Sequence, residues 1–203
     1  MATQKPKKEE SFLRSAIEFV VLIVVVVLAT QALTRFVVSK DIVQGISMQP
    51  TLEDGDRLYS LRHKAVSRND IVVIDAPDSP GDLYIKRVIG MPGDTVQVKN
   101  EKLYVNGKLQ KQPYLKKAFM TAEIKSESAK ANRDPATVPF TYNFSLKTLT
   151  STGRSTVPKN SYFVMGDNRL VSHDGRDFGF VTKAHVQSVV VWRYWPLNKM
   201  TIY

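Results

Sequence analysis

The sequence predicts a mainly β protein that begins with a single transmembrane helix and carries a small inserted subdomain. Three observations predict it. An unbroken aliphatic run, Phe19-Val20-Val21-Leu22-Ile23-Val24-Val25-Val26-Val27-Leu28-Ala29, lies near the N-terminus. Beyond it, short runs rich in Val, Ile, Tyr and Phe alternate with Gly, Pro, Asn and Asp clusters, which is the pattern of strands and turns. From residue 111 to 156 that rhythm lapses into a Lys-, Ser-, Thr- and Ala-rich stretch of weak periodicity. At 203 residues the chain accommodates one principal domain, and 43% hydrophobic residues is ordinary for a folded protein.

Composition narrows the chemistry. With no Cys, disulfides, thiolate metal sites and cysteine nucleophiles are excluded. A net charge of +10 asks for an anionic neighbour, and nucleic acid, anionic lipid and wall polymer all qualify. The basic residues are scattered rather than gathered on one helix, and no helix-turn-helix pattern is present. Nucleic acid is therefore not expected as a partner.

Taken in order, residues 1–15 are basic, with Lys5, Lys7, Lys8 and Arg14. Ala16 to Leu33 follows with one charge, Glu18. That is about 18 residues, where a spanning helix needs about 20 with a lower limit near 17. Lipid leaves backbone groups no alternative to internal pairing, so even a valine-rich run reads as helix. More basic residues precede the run than follow it at Arg35 and Lys40. This bias places residues 1–15 in the cytoplasm, 16–34 in the membrane and 35–203 outside. A cleavable signal peptide is the alternative, since Thr30-Gln31-Ala32 loosely resembles a small-residue cleavage site. A buried core helix fits poorly with an aliphatic surface on every side.

From Phe36 the chain reads as strands: Phe36-Val37-Val38, Ile42-Val43, Arg57-Leu58-Tyr59 and the apolar run Ile71-Val72-Val73-Ile74. Pro77, Pro80 and Gly81 break the chain before Leu83 to Gly90. Pro92-Gly93-Asp94 turns into Thr95 to Val98, and Lys99-Asn100-Glu101 turns again into Leu103-Tyr104-Val105. Asn106-Gly107 is the strongest short hairpin signal. Residues 111–156 read as an insertion. Ser161 to Met165 and Ser188 to Trp192 are core strands, and Arg193-Tyr194-Trp195-Pro196 closes the domain.

Ser47, in Gly45-Ile46-Ser47-Met48-Gln49-Pro50-Thr51, sits just ahead of a proline that stiffens the backbone. Alone it is a turn serine. As a nucleophile it needs a base. Of the three histidines, His63 and His185 lie in polar connections, and His173 precedes Asp174. Adjacent residues diverge on a strand or helix, so that neighbour adds nothing. Lys86 is the better base. Strand alternation puts it on one face with Tyr84 and Val88, and Arg87 on the other with Ile85 and Ile89. Burial favours the neutral amine, which can deprotonate serine. The competing reading of Lys86 is a snorkelling surface lysine. Gly166-Asp167-Asn168-Arg169 through Arg176 offers oxygens for calcium, but its spacing is not the helix-loop-helix one and its arginines oppose a cation. An ion pair of Asp174 with Arg176, or of Asp167 with either arginine, is simpler, and Ser172 is placed to hydrogen-bond the lysine amine.

Together, Ser47-Met48-Gln49-Pro50-Thr51, Tyr84-Ile85-Lys86-Arg87-Val88-Ile89-Gly90 with Pro92-Gly93-Asp94, and Gly166-Asp167-Asn168-Arg169 with Ser172, Asp174 and Arg176 resemble the bacterial type I signal peptidase (leader peptidase) family. With its single anchor the chain is similar to the shorter Gram-positive form. The resemblance implies an antiparallel β catalytic domain, Ser47 as nucleophile and Lys86 as general base. It implies that Ser172 positions the amine while Asp167, Asp174 and Arg176 hold the site together. The Ser47 N–H would be one oxyanion donor. Some members carry a hydroxyl donor two residues before the nucleophile; here that position is Gly45, which leaves the second donor open. Gly175 stands where the family often has Ser. The implied substrate is the signal peptide of an exported preprotein, cut after small residues in an A-x-A-like pattern. It would pair with strand edges near Val43 to Gly45 and Leu83 to Ile85, making Gly45, Leu83 and Ile85 substrate-binding residues. No cofactor or metal is implied, and membrane lipid and the secretion translocon are the further partners. A basic β module that binds anionic wall or lipid polymers without catalysis is the rival reading. A self-cleaving repressor would need a DNA-reading helix pair and no membrane span.

Overall fold

The computed structural model describes residues 7–203. Lys5 of the basic N-terminal stretch lies outside them. The chain divides into a first unit that ends at Ser39 and a second, Lys40–Tyr203.

The first unit is built on α1 (Lys7–Phe36). Its Phe12–Phe36 portion contains an 18-residue window of mean hydropathy 2.6 and, at 25 residues, is long and apolar enough to cross a membrane. At 1.5 Å per residue that portion extends about 37 Å, against a hydrocarbon core of about 30 Å. Several of its polar side chains bond within the helix. Arg14 Nε bonds Glu18 Oε1 at 3.2 Å, one turn on. The Thr30 and Thr34 hydroxyls donate to the carbonyls of Val26 (2.7 Å) and Thr30 (3.0 Å). The helix runs past the expected boundary and takes in Phe36, because Val37 N–H still reaches Leu33 O at 2.9 Å. The strand expected to begin at Phe36 therefore begins two residues later.

The remaining elements are β1 (Val38–Ile42), β2 (Arg57–Leu61), β3 (Ile71–Asp75), β4 (Leu83–Gly90), β5 (Val96–Lys99), β6 (Lys102–Val105), β7 (Lys108–Leu109), α2 (Lys117–Lys130), β8 (Phe144–Ser145), β9 (Ser161–Met165), α3 (Gly175–Phe178), β10 (Val181–Thr182), β11 (Val186–Trp195) and β12 (Thr201–Ile202). The larger sheet has the order β1-β2-β11-β3-β4-β9-β10, with β12 also paired to β11. The smaller sheet has the order β7-β6-β5-β8. β3 pairs antiparallel with both β4 and β11, and β4 with β9. As the hairpin signal requires, Asn106 and Gly107 both adopt positive φ, 51° and 73°, between β6 and β7.

β4 is central and buried on both faces from Lys86 onward. Ile85 packs against Val43, Met48, Leu58 and Val73. Tyr84 and Val88 join Val72, Ile74, Val164 and Val189. Past a bulge between Val88 and Gly90, Ile89 enters the core of the smaller sheet with Val96, Val98 and Phe163. One strand thus reaches all three apolar clusters, which fixes its register and the side chains it carries.

Residues 111–156 are more regular than their composition suggests. They contain α2, whose partly buried stripe runs Phe119, Met120, Glu123, Ile124, Glu127 and Ser128. Toward their end they are not a separable insertion. β8 pairs with β5, and Phe144 and Leu146 are part of the small-sheet core. The strands β7, β8, β10 and β12 are two residues each, too short to leave a pattern in sequence.

Candidate active site

Ser47 stands on a turn between β1 and β2. Gly45 makes the reversal at φ +83°, a conformation that favours glycine, and donates its N–H to Asp54 Oδ1 at 2.7 Å. That N–H is therefore committed and does not serve as the second oxyanion donor. Behind Ser47, Leu52 N–H closes on Met48 O at 3.0 Å, and the Gln49–Pro50 bond is cis. Met48 (1% exposed) and Leu52 anchor the turn in the core. The Ser47 carbonyl accepts from Asn168 N–H at 3.0 Å. The nucleophile candidate is thus held by backbone from a segment far away in sequence.

Lys86 lies opposite Val72 in the β3–β4 ladder and is 4% exposed. Its Nζ donates to Ser47 Oγ at 3.0 Å. Burial pushes the amine below its ordinary pKa; the Arg176 charge adds to this, while Asp174 and Asp177 oppose it. Tyr84 lies on the same strand face, its ring centroid 5.4 Å from Nζ. The surface reading of Lys86 fails, because the strand is interior here.

The third motif surrounds this pair. Asp174, fully buried, accepts from Gly166 N–H (2.9 Å), Arg176 N–H (3.1 Å), and Arg176 Nε and Nη2 (both 2.9 Å). Burial alone would raise its pKa, but Arg176 and these N–H donors hold it below the usual carboxylate range. Asp174 also caps α3 in a reciprocal box with Asp177. Asp167 departs from expectation. It pairs with Arg87, not with Arg169 or Arg176, accepting from Nε at 2.8 Å and Nη2 at 2.6 Å, and it also takes the Thr51 hydroxyl at 2.5 Å. These bonds tie the serine turn, β4 and the end of β9 together. With their oxygens bound to guanidinium groups, Asp167 and Asp174 do not fit a calcium loop.

Ser172 lies against Gly166. A Cβ built on Gly166 would meet Ser172 Oγ at 2.1 Å and the Ser47 carbonyl at 2.6 Å. The Ser172 hydroxyl is buried without a hydrogen-bond partner in this structure, so the expected bond to the amine is not formed here. Gly175 is accounted for sterically. A Cβ there would lie 2.7 Å from Val164 O and 2.9 Å from the Phe163 ring, so the serine common in the family does not fit.

Ser47 and Lys86 open onto a groove of about 610 Å³ whose apolar lining includes Ile42, Val43, Met48, Leu83 and Ile85. Gly45, named with Leu83 and Ile85 as substrate-binding, is not part of that lining; it shapes the turn instead. β4 pairs with β3 along Leu83–Arg87 but meets β9 only from Arg87 onward, which leaves one edge of Leu83–Ile85 unpaired. Two of the three histidines are engaged elsewhere. His173 Nε2 bonds Asp78 Oδ2, and His185 Nδ1 bonds Thr182 Oγ1 at 2.7 Å. Sequence reasoning missed Arg87, Thr51, Asn168 and Gly166 as site residues. Arg87, adjacent to Lys86 on a strand that becomes interior, carried a signal: a buried arginine must find an acid.

A serine hydroxyl bonded to a desolvated lysine amine, at the wall of an apolar groove with a free strand edge, is an arrangement that suits a serine peptidase. The model of the family described as signal peptidase, peptidase S26, matches residues 16–195, and the chain belongs to that family. It is 40% identical to signal peptidase I V of Bacillus subtilis over 176 residues, covering 85% of this chain and 94% of the relative. It is 34% identical to signal peptidase IB of Staphylococcus aureus over 201 residues, covering 95% and 93%. A crystal structure of a signal peptidase I from Enterococcus faecalis superimposes with a TM-score of 0.51 at 39% identity, covering 62% of this chain and 97% of that one.

Proposed function

We propose that the chain is the serine endopeptidase that removes signal peptides from exported preproteins, with Ser47 as nucleophile and neutral Lys86 as its general base. The observation that carries this reading is the 3.0 Å bond between a buried, pKa-lowered amine and Ser47 Oγ. Lys86 takes the Ser47 proton as Oγ attacks the scissile carbonyl, and the Ser47 N–H is one donor to the resulting oxyanion. The ammonium then gives the proton to the leaving amine, which leaves the signal peptide esterified to Ser47. Neutral again, Lys86 activates the water that hydrolyses the ester.

The preprotein lies along the unpaired edge of Leu83–Ile85 as an added strand, and shallow apolar walls there select small residues before the cut in an A-x-A-like pattern. Asp167, Asp174 and Arg176 hold the site together. Ser172 positions the amine; its buried hydroxyl is bonded to no other group, which leaves it available to the amine. Residues 16–34 anchor the chain in a single pass with residues 1–15 in the cytoplasm, so membrane lipid surrounds the helix and the secretion translocon delivers substrate. A non-catalytic binding module leaves the Ser47–Lys86 bond without a purpose.

The test is cleavage of a membrane-reconstituted preprotein by the full-length wild type, Ser47→Ala and Lys86→Ala, together with titration by a serine-acylating inhibitor. Both variants are expected to be inactive, and wild type to be labelled once, at Ser47. Cleavage surviving in Lys86→Ala would reject the base assignment.

A further inference from the structure

The stretch 111–156 has no part in the reaction as described, yet it reaches the nucleophile through one intermediary. Asn168 is fully buried. Its backbone N–H donates to the Ser47 carbonyl at 3.0 Å, and its side-chain Nδ2 donates to Glu123 Oε1 of α2 at 3.0 Å. Glu123 lies mid-way along the inward stripe of α2, between Phe119 and Met120 on one side and Ile124, Glu127 and Ser128 on the other. Helix packing alone would put an apolar residue at that position. A carboxylate turned toward protein is costly unless it is hydrogen-bonded, and Asn168 supplies the bond.

Two further contacts run from the same stretch to neighbouring groups. Gln112 Oε1 accepts from Arg169 Nη2 at 2.6 Å, and the Tyr114 ring lies 3.9 Å from the guanidinium of Arg87, the partner of Asp167. α2 and its approach thus brace the consecutive residues Asp167, Asn168 and Arg169 from behind, and Asn168 passes the constraint to Ser47.

We propose that Glu123 is a positioning residue: by fixing Asn168 it holds the Ser47 backbone where Oγ meets Lys86 and the Ser47 N–H meets the oxyanion. The proposal rests on Ser47 being the nucleophile. Misplacement of a reacting group by a fraction of an ångström lowers the rate of the chemical step while leaving the groove that binds substrate intact.

The experiment compares Glu123→Leu and Glu123→Gln in the full-length protein, measuring kcat, KM and Tm, with Ser47→Ala as control. Leucine completes the apolar stripe but cannot accept a hydrogen bond; glutamine keeps an acceptor oxygen. Glu123→Leu is expected to lower kcat about tenfold, equivalent to about 1.4 kcal/mol, with KM within about twofold and Tm only modestly lowered, since the completed apolar stripe offsets part of the loss of the Asn168 Nδ2 acceptor. Glu123→Gln is expected to stay within about threefold of wild type, a smaller loss than leucine's because the acceptor is kept. Wild-type kcat in Glu123→Leu, equal losses in both variants, or a loss confined to KM would each overturn the proposal. Activity in Ser47→Ala would remove its premise as well, which is distinct from a dead Ser47→Ala beside an unimpaired Glu123→Leu.

Discussion

Gly166→Ala tests the construction of the site with one methyl group. Gly166 is where the end of β9 passes between the serine turn and Ser172. The added Cβ would lie 2.1 Å from Ser172 Oγ, 2.5 Å from Ser172 Cβ and 2.6 Å from Ser47 O. Ordinary carbon contacts are about 3.5–4.0 Å, so these atoms must separate by roughly 1 Å. Ser172 cannot simply rotate away, because its own Cβ is one of the obstacles, and the Ser47 carbonyl is backbone. Overpacking of this kind costs about 1–3 kcal/mol in stability. A displacement near 1 Å at the nucleophile costs on the order of a hundredfold in rate. The assay is kcat for preprotein cleavage by the purified full-length variant, read beside its thermal unfolding. Gly166→Ala with Ser172→Gly removes two of the three obstacles and should recover part of the stability, but less of the rate, because the Ser47 carbonyl is still crowded. A folded Gly166→Ala enzyme with wild-type kcat would refute the claim that Ser47 is held by close contact with this residue.

Lys86→Met should abolish cleavage yet raise stability at neutral pH. Because the folded-state pKa of Lys86 lies below that of a free lysine, the unfolded chain binds more protons between the two values, and stability rises with pH across that window. Each unit of depression costs the wild type about 1.4 kcal/mol at pH values below it. The gain from Lys86→Met, read from urea unfolding, should shrink as pH approaches the ordinary lysine value of about 10.4; a constant gain would contradict the titration. Arg87→Met should destabilise the second unit by about 3–5 kcal/mol, because it strands the fully buried Asp167 without its partner. A loss under 1 kcal/mol by the same measurement, the range of surface ion pairs, would show that Thr51 alone suffices for Asp167.

Much of this architecture can be read from local pattern. Alternation along β4 separates Lys86 from Arg87, and the pairing of Asn106 with Gly107 fixes a hairpin. What sequence leaves hidden is long-range. Thr51 and Asp167 meet across 116 positions and Arg87 and Asp167 across 80, and nothing local announces either contact. α2 escapes for a different reason. Its inward stripe includes Glu123, Glu127 and Ser128, which blur the apolar period that identifies a surface helix. Gly166 looks like a turn glycine, yet what requires glycine there is the nearness of Ser47 O and Ser172.

The bonded ions Asp174 and Arg176 also bias how basic Lys86 is, and they do so with opposite signs. Asp174 lies near enough to favour the ammonium form, Arg176 near enough to disfavour it, and the two are bonded to each other. Paired, they oppose each other at Nζ, with Asp177 on the side of Asp174, and burial, the largest effect, leaves the amine neutral at a lower pH than free lysine. Removing either one ends that opposition. Arg176→Met removes the cation and leaves Asp174 charged, so the rising limb of the pH–rate profile should move to higher pH. Asp174→Asn keeps an oxygen to cap α3 but removes the anion, so that limb should move to lower pH even as kcat falls. Both profiles are measurable on the full-length protein with one preprotein substrate. Displacement of both limbs in the same direction, or of neither, would mean that the Asp174–Arg176 pair only supports the fold and that burial alone sets the base.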